Sequence, residues 1–511
     1  MEIDDFQATT EAFLSWLSEV GVRINAKMVL KDLRSEGRGR GVSLRSYFVL
    51  PDPSFDSNVF LVAAAGFEED ELVFSIPRGA VLNVGNVLSS TGSTNWRESL
   101  QNMPSWLSLT AAMISEGQRS NSQWAPYLAV LPKKLDSLVF WSEEELAELQ
   151  ACSVLQKIGR AGAEEMFGKH LVPLGIANSN YEFYHRVASV IMAYAFDIPE
   201  EDNTKHIPGP LDDDNDDLVS DDGKDEKTIL SMIPLADMLN ADAERNNARL
   251  CCDNEELEMR TIKPIAAGEE IFNDYGQLPR SDLLRRYGYI TENYAIYDVA
   301  EISASSIISV AGKKLFTQAG ETLVEGLTAN EIEKRVALAE REGCFEESYD
   351  LVHSRPEEPA VPVELLAFVY ILLVDDETLE AILNSKASIP RRSKLCSQLV
   401  GKFLSAVIWS KIMDYTTTWE EDCGILKDIR NDEPCSTRKL MAVQVRKGEK
   451  AVLKKSGQEA EAFDGSNARM RVAKKKSLAR ESQKMPPVQQ RAVTDDSIPS
   501  GKGNGFSGRV L

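Results

Sequence analysis

The segments IPLADMLNAD, residues 233–242, and GEEIFNDYGQLPRSDLLRRYGYI, residues 268–290, decide the fold of this chain. In the first, an apolar run that is typical of a β-strand ends at an aspartate and an asparagine three residues apart, Asp237 and Asn240. In the second, a Gly-Glu-Glu turn precedes an Asp-Tyr-Gly triplet. The β-type runs ARLCCD and ELEMRTI lie between the two segments and predict two adjacent short strands. We therefore expect a small β-sheet in this part of the chain.

The region before these segments has two different patterns. Short β-type runs at residues 47–50, 59–65 and 71–77 each end at Pro, Gly or charged residues, which predicts a small irregular sheet. From about residue 96 to residue 198 the apolar residues recur at helical spacing. We therefore expect a helical insertion that interrupts the β-rich fold.

The region after these segments has mainly helical patterns. ANEIEKRVALAERE at residues 329–342 and VPVELLAFVYILLV at residues 361–374 are examples. They predict a separate all-α domain over residues 301–455, following a first domain over residues 10–300.

Two segments have too few apolar residues to form a packed core. Residues 199–227 contain the acidic runs DDDNDD and DDGKDE, and residues 456–511 are rich in Gly, Ser, Gln and Lys. Such segments cannot bury enough apolar surface to offset the entropy of ordering, so both are predicted to be disordered. The acidic loop serves solubility or attracts a basic substrate. The run RVAKKKSLAR at residues 471–480 is either a nuclear-import signal or a chance cluster.

The composition limits the classes of partner. The formal net charge is −23, although residues 457–511 carry ten Lys/Arg against six Asp/Glu. A polyanion would repel such a body, so basic proteins are favoured as partners over nucleic acids. The chain has no apolar run of about 18 residues, and membrane binding is not expected. Seven cysteines without a C-x-x-C pair and four scattered histidines argue against structural zinc and for reduced thiols in a soluble intracellular protein.

Two further features are ambiguous when taken alone. The run GRGRG at residues 37–41 suits any tight turn, and only a minority of such runs let a polar cofactor approach the backbone. Tyr194 lies on the apolar face of the helical stretch 181–196, where a core aromatic residue is as reasonable as a ligand contact.

The two deciding segments together carry a resemblance to a known family. A D-x-x-N motif followed about thirty residues later by G-E-E-[IL]-x-x-x-Y-G resembles the signature of SET-domain lysine methyltransferases. The helical insertion, the helical C-terminal region and the absence of a cysteine-rich segment are similar to the Rubisco large-subunit methyltransferase-like branch. Within it, IPLADMLNAD and YGQLPRSDLLRRYGY resemble the fungal ribosomal lysine methyltransferases. The implied fold is α+β: an irregular β-rich SET fold with a helical insertion, followed by an all-α substrate-binding domain.

The resemblance implies S-adenosylmethionine as cofactor and a set of site residues. Tyr275 matches the active-site tyrosine, and Trp124 and Asp197 match positions on the substrate side. Many relatives have Asn-His where this chain has Asn240-Ala241. If the residue contacts the cofactor through its backbone, alanine can replace histidine; if the imidazole ring is required, it cannot. The fungal relatives share the alanine, which favours the backbone contact. The cofactor contacts fall on Glu36, Gly37, Arg38, Gly39, Arg40, Tyr194, Asn240, Ala241 and Tyr287.

The implied activity is methyl transfer to a lysine of a basic protein, with a large-subunit ribosomal protein favoured. The reaction is an in-line displacement that requires alignment and a neutral lysine amine, and no metal. A histone-directed methyltransferase and a non-catalytic SET-like protein that binds lysine-rich tails are the alternatives. The expected state is a monomer, and the expected location is the nucleus, with the cytoplasm as a further site.

Overall fold

The computed structural model describes residues 2–32, 59–91, 97–175, 180–200, 228–253, 255–316, 319–355, 359–431 and 436–464. The glycine-rich run, nearly all of the acidic loop and most of the basic tail lie outside the described residues, and so do the predictions made for them.

The N-terminal part consists of a helix, a meander of short strands and a second helix. The elements are α1 (Glu2–Glu19), β1 (Arg23–Ile24), β2 (Met28–Asp32), β3 (Val59–Ala63), β4 (Leu72–Pro77) and α2 (Val84–Thr91). Phe13, Trp16 and Leu17 on α1 are buried against the strands, as the helical spacing of these residues requires.

The segment between the two halves of the sheet is helical, as predicted. Its helices are α3 (Arg97–Gln101), α4 (Ser105–Gln118), α5 (Ala125–Val130), α6 (Glu143–Ala147), α7 (Arg160–Met166) and α8 (Tyr181–Tyr194). Asn180 caps α8 by accepting a hydrogen bond from the Phe183 amide. Tyr184 and Ala188 on α8 pack with Phe167 in a separate apolar cluster.

The chain then returns to β-structure. The elements are β5 (Ala195–Pro199), β6 (Thr228–Met232), β7 (Ala248–Cys252), β8 (Glu256–Thr261) and α9 (Arg280–Tyr287). All pairing is antiparallel, in a four-stranded sheet of order β1-β4-β8-β7 and in the pairs β2-β3 and β5-β6. On β8, Leu257, Met259 and Thr261 face the core, and the intervening charged residues are partly exposed.

The C-terminal region is mainly helical but not exclusively so. It contains β9 (Val299–Ser303), α10 (Ala304–Ala311), β10 (Leu315–Phe316), β11 (Thr322–Val324), α11 (Ala329–Arg341), β12 (Ser348–Val352), α12 (Val363–Leu373), α13 (Asp376–Leu383), α14 (Arg392–Leu395), α15 (Gln398–Met413), α16 (Trp419–Asn431) and α17 (Thr437–Glu461). β9 pairs antiparallel with β12, and β10 with β11. The structure corrects the prediction of an all-α domain, since β10, β11 and β12 lie within residues 301–455. Of these, β10 and β11 have two and three residues and are too short to produce a periodic sequence signal.

The boundary predicted for the basic tail also needs correction. Helix α17 continues to Glu461, six residues past the predicted end of the C-terminal domain at residue 455. Ser456, Ala460 and Phe463 are buried there, and the last two belong to the C-terminal core cluster. Burial of these side chains is what extends the ordered chain into a polar sequence.

The helical C-terminal region shares one core with the preceding residues. Trp141 and Cys152 of the helical insertion, and Leu284 of α9, pack in the same cluster as residues of α12, α15 and α17. No helix in the described parts of the chain is long and apolar enough to span a bilayer.

Charged side chains also connect α17 to the rest of the protein. On its N-terminal half, the buried Arg446 side chain contacts Asp422 on α16 (Nε–Oδ1, 2.9 Å) and Glu148 after α6 (Nη1–Oε2, 3.0 Å). Lys450, one turn later, contacts the other Asp422 oxygen at 2.6 Å. Such a pair of cations on one buried carboxylate fixes the orientation of α17 more than it adds stability.

Candidate active site

The D-x-x-N motif lies on a strained turn rather than at the end of a strand. Strand β6 ends at Met232, five residues before Asp237. Leu235 has a φ of +74°, and a short 3₁₀ turn follows at Ala236–Met238. A non-glycine residue in this region of backbone space costs on the order of 1–3 kcal/mol and is found where the surrounding structure determines it. The local conformation is therefore held by contacts elsewhere in the fold.

A second chain segment crosses beside this turn. The Asn273 amide donates to the Asn240 carbonyl at 2.8 Å, and the Asp242 amide donates to the Asn273 carbonyl at 3.3 Å. These two bonds form a parallel bridge between Ala241 and Asn273. The crossing brings the Asp-Tyr-Gly triplet against the D-x-x-N turn, and the Tyr275 hydroxyl donates to the Leu239 carbonyl at 3.1 Å.

Three tyrosines form one aromatic wall at this crossing. The Tyr275 and Tyr287 rings are stacked, and Tyr289 meets Tyr287 edge-on with centroids 6.1 Å apart. Gly288 makes the turn between the last two possible, since it has a φ of +75° and a Cβ there would lie 2.6 Å from the Asp136 carbonyl carbon. The wall thus depends on a reversal of direction at the end of α9.

Burial keeps the hydroxyls of this wall protonated. It raises the pKa of Tyr275, Tyr287 and Tyr289 above the usual range, and the neighbouring phenols raise the pKa of Tyr275 and Tyr289 further. A phenol in such surroundings donates or accepts hydrogen bonds but does not serve as a general base at neutral pH. Any chemistry at this site therefore uses these tyrosines for orientation.

The wall and the turn enclose a partly open pocket. Its empty space, including solvent at the mouth, is about 570 Å³. The pocket is lined by Leu131, Pro132, Tyr194, Asp237, Met238, Leu239, Asn240, Tyr275, Tyr287 and Tyr289.

Two protein-family models match the chain. One, described as "SET domain", matches residues 58–276, and the other, described as "Rubisco LSMT substrate-binding", matches residues 327–453. This chain contains a SET domain. The matches cover both deciding segments up to Gly276 and most of the helical C-terminal region.

Known proteins with similar sequences agree with this identification. The SET-domain chain is 31% identical over 321 residues to "Ribosomal lysine N-methyltransferase 4" of Saccharomyces cerevisiae, which is 60% of each chain. It is 27% identical over 485 residues to human "N-lysine methyltransferase SETD6", or 86% of this chain and 93% of that protein. The chain thus spans three fifths of the length of the yeast relative and nearly all of the human one.

Solved structures of Rubisco LSMT have the same fold. The crystal structure of the LSMT SET domain bound to lysine and AdoHcy has a TM-score of 0.61 at 18% identity, over 89% of this chain and 91% of that one. The structure of Rubisco LSMT bound to AdoMet has a TM-score of 0.60 at 19% identity and the same coverage. The irregular SET sheet, its helical insertion and the helical C-terminal region are therefore shared features of the fold.

Four of the predicted site residues of this SET-domain protein meet in the pocket. They are Tyr194, Asn240, Tyr275 and Tyr287. Ala241 lies directly beside them at the chain crossing. The Asn240 side-chain amide donates to Glu270 Oε1 at 2.5 Å, which explains the second glutamate of the Gly-Glu-Glu turn. Their predicted roles remain predictions, but the structure does bring them together.

Two predicted substrate-side residues lie elsewhere in the SET domain. Trp124 has no exposed surface, packs in the N-terminal core, and its indole N–H donates to the Ala80 carbonyl at 3.0 Å. An indole held in this way does not line the pocket, which corrects its expected position. Asp197 lies on β5 opposite Leu230 and is not a pocket residue either. Glu36, Gly37, Arg38, Gly39 and Arg40 lie outside the described residues.

Sequence reasoning missed six residues of the pocket wall, namely Leu131, Pro132, Asp237, Met238, Leu239 and Tyr289. Tyr289 follows Tyr287 in the YGY triplet, and its spacing was a usable signal, since the glycine between them reverses the chain. Leu131 and Pro132 come from the end of α5 in the helical insertion and have no local signature. Among the described residues, no group of three His, Cys, Asp or Glu side chains is placed to hold a metal ion.

Proposed function

We propose that this SET-domain protein is an S-adenosylmethionine-dependent protein-lysine N-methyltransferase. The observation that carries the proposal is the Tyr275 hydroxyl, which the Leu239 carbonyl holds inside a tyrosine-lined pocket. The names of the yeast and human relatives, both lysine N-methyltransferases, support it.

The pocket residues suit the cofactor that the family uses. A sulfonium cation is favoured over aromatic faces, and Tyr275, Tyr287 and Tyr289 supply these. Asp237 also lines the pocket, and an acidic residue there suits a cationic cofactor. When bound, S-adenosylmethionine supplies the methyl group. Asn240 and Tyr194, which also line the pocket, would hold the cofactor together with these residues.

The same wall prepares the lysine. A lysine amine has an ordinary pKa of about 10.4, so only about one part in a few thousand is neutral at pH 7. Lowering this pKa by about two units costs about 2.7 kcal/mol, a shift within the range that burial among aromatic residues produces. Because the tyrosines stay protonated, the Tyr275 hydroxyl acts by orienting the amine, and the proton leaves to solvent before transfer.

A basic protein of the large ribosomal subunit is the substrate we propose. The net charge of −23 favours a basic partner. The printed name of the yeast relative refers to a ribosomal substrate, and the match to a substrate-binding model over residues 327–453 suits a protein partner. We further propose action as a monomer in the nucleus, for which the basic run at residues 471–480 is the supporting feature.

The test is methylation of isolated proteins with radiolabelled S-adenosylmethionine. Ribosomal proteins from cells that lack this enzyme and core histones are incubated in parallel with wild-type protein and Tyr275→Phe. A single labelled ribosomal band that the variant loses supports the proposal. Label on histones alone would move the function to chromatin. No label, with intact binding of S-adenosylhomocysteine, would favour a non-catalytic binding protein.

A further inference from the structure

A buried hydrogen bond joins the helical insertion to the strained turn of the active site. The Tyr127 hydroxyl on α5 donates to Asp237 Oδ2 at 2.6 Å, and the two residues are 0% and 6% exposed. Tyr127 does not line the pocket, whereas Asp237 does. The Tyr127 hydroxyl therefore meets the pocket lining at Asp237.

The Tyr127 ring is itself held in place on its other side. It stacks on Trp16 with centroids 6.1 Å apart and an angle of 7° between planes, and it lies 6.2 Å from the Phe13 ring. Both partners are on α1 and are buried in the N-terminal core. The hydroxyl is thus presented from a rigid aromatic stack, and its position does not depend on the pocket being filled.

The turn that receives this bond is the one that needs external support. Leu235 has a φ of +74°, two residues before Asp237. Leu239, two residues after Asp237, supplies the carbonyl that accepts from the Tyr275 hydroxyl. Asp237 lies midway between the strained residue and this carbonyl, so a bond to its carboxylate restrains both. A charge-assisted bond to a buried carboxylate is among the stronger ones in proteins.

We propose that Tyr127 is a positioning residue for methyl transfer. By holding Asp237, it keeps the 235–239 turn in the conformation that directs the Leu239 carbonyl at the Tyr275 hydroxyl. A small displacement of an orienting group has a large effect on rate, because transfer requires close alignment of the reacting atoms. The inference rests on the proposed function where kcat is measured, whereas the hydrogen-exchange measurement does not depend on that function.

The test uses Tyr127→Phe, which retains the ring and its stack on Trp16. We expect kcat to fall at least tenfold, with the KM for each substrate and the calorimetric Kd of S-adenosylhomocysteine within threefold of wild type. Hydrogen exchange at the amides of residues 237–239 should become faster. In the double variant with Asp237→Asn, the kcat loss should be smaller than the product of the two single losses, because the two substitutions share the Tyr127–Asp237 bond.

Tyr349→Phe is the matched control. Tyr349 is also buried, stacks on Phe368, and its hydroxyl donates to the Cys344 carbonyl at 2.8 Å in the C-terminal region. A purely structural role for Tyr127 predicts that both variants lower the thermal midpoint alike and leave the kcat of folded protein unchanged, and that result would overturn the inference.

A failure of the proposed function would look different. If wild-type protein labels no protein substrate, the proposed activity fails, and hydrogen exchange then decides the inference alone. Unchanged protection of residues 237–239 in Tyr127→Phe would overturn it, while faster exchange confined to that turn would support the restraint.

Discussion

The Tyr275 ring lies flat on the Tyr287 ring, with centroids 4.7 Å apart and an angle of 11° between the planes. Tyr275 comes from the segment that crosses the D-x-x-N turn, and Tyr287 is the last residue of α9. The stack therefore ties the crossing to the helix. Both rings contribute to packing. Among the described contacts, the Tyr275 hydroxyl donates to the Leu239 carbonyl and the Tyr287 hydroxyl does not, so the two hydroxyls have different hydrogen-bonding roles.

Tyr275→Phe separates these two roles. Phenylalanine keeps the stack on Tyr287 and removes the 3.1 Å bond to the Leu239 carbonyl, so we expect a loss of only about 1 kcal/mol in the free energy of unfolding. Turnover should fall tenfold or more, because the hydroxyl that orients the amine is gone. Steady-state kinetics and calorimetry with S-adenosylhomocysteine measure the two effects. Equal turnover in variant and wild type would remove Tyr275 from the mechanism.

Gly448 is a point where α17 approaches the SET domain closely. A Cβ at this position would overlap Asp298 Oδ2 and lie 2.6 Å from Arg280 Nη2. Asp298 and Arg280 form a buried ion pair, with Arg280 Nη2 2.5 Å from Asp298 Oδ2. We expect Gly448→Ala to lower the free energy of unfolding by about 2 kcal/mol or more, although alanine ordinarily stabilises a helix interior.

Gly457→Ala is the control for this effect. Gly457 is on the same helix, and a Cβ there would make an ordinary contact of 3.5 Å with Ile408. Chemical denaturation should show an unchanged or raised midpoint for Gly457→Ala and a lowered one for Gly448→Ala. A raised denaturation midpoint for Gly448→Ala would mean that the Arg280 and Asp298 side chains make room for the added methyl group without loss of stability.

Parts of this arrangement could be predicted from the sequence. Asn240, Tyr275 and Tyr287 fall within one stretch of 48 residues that carries the family signature, and the structure brings them to one pocket. The helical insertion and the helical C-terminal region follow from apolar periodicity, which local sequence expresses directly.

Other parts depend on contacts that no local pattern records. Tyr127 and Asp237 are separated by 110 residues, and an aromatic residue in an apolar helix gives no sign of a hydrogen-bonding partner. The positive φ of Leu235 was equally hidden, because leucine is not a residue type that favours it. For this reason the D-x-x-N motif was expected on a strand and is found on a turn. Trp124 is a different case: the family resemblance implied a place on the substrate side, but in this structure the side chain is packed into the core.

Asp422 is expected to be essential for the orientation of α17. It has no exposed surface and contacts both Arg446 and Lys450. Asp422→Asn removes the carboxylate that pairs with buried Lys450 and one of the two that pair with buried Arg446, and we expect a loss of about 3–5 kcal/mol in the free energy of unfolding. Glu420→Gln, on the same helix, breaks an exposed pair with Lys454 and should not shift the urea midpoint measurably. Similar midpoints for the two variants would contradict a structural role for the buried network.

Glu449 should make stability depend on pH. Burial raises the pKa of this carboxyl to about 7, and its surroundings are Tyr415, whose hydroxyl donates to it at 2.6 Å, with Lys411, Cys152 and Glu301 nearby. In the unfolded chain the carboxyl has its ordinary pKa of about 4.3. Between these values the folded protein holds a proton that the unfolded chain has released. Raising the pH through this window therefore lowers the free energy of unfolding, by up to about 4 kcal/mol.

Glu449→Gln removes this contribution while its amide oxygen still accepts from Tyr415. The stability of the variant relative to wild type should therefore rise between pH 5 and pH 7.5, as measured by urea denaturation at several pH values. Asp350, whose pKa burial raises to about 6, acts in the same direction, so Asp350→Asn should flatten the curve further. Glu461→Gln, at the exposed end of α17, is the control and should follow the wild-type curve. Parallel curves for Glu449→Gln and wild type would show that Glu449 stays ionised in the folded protein.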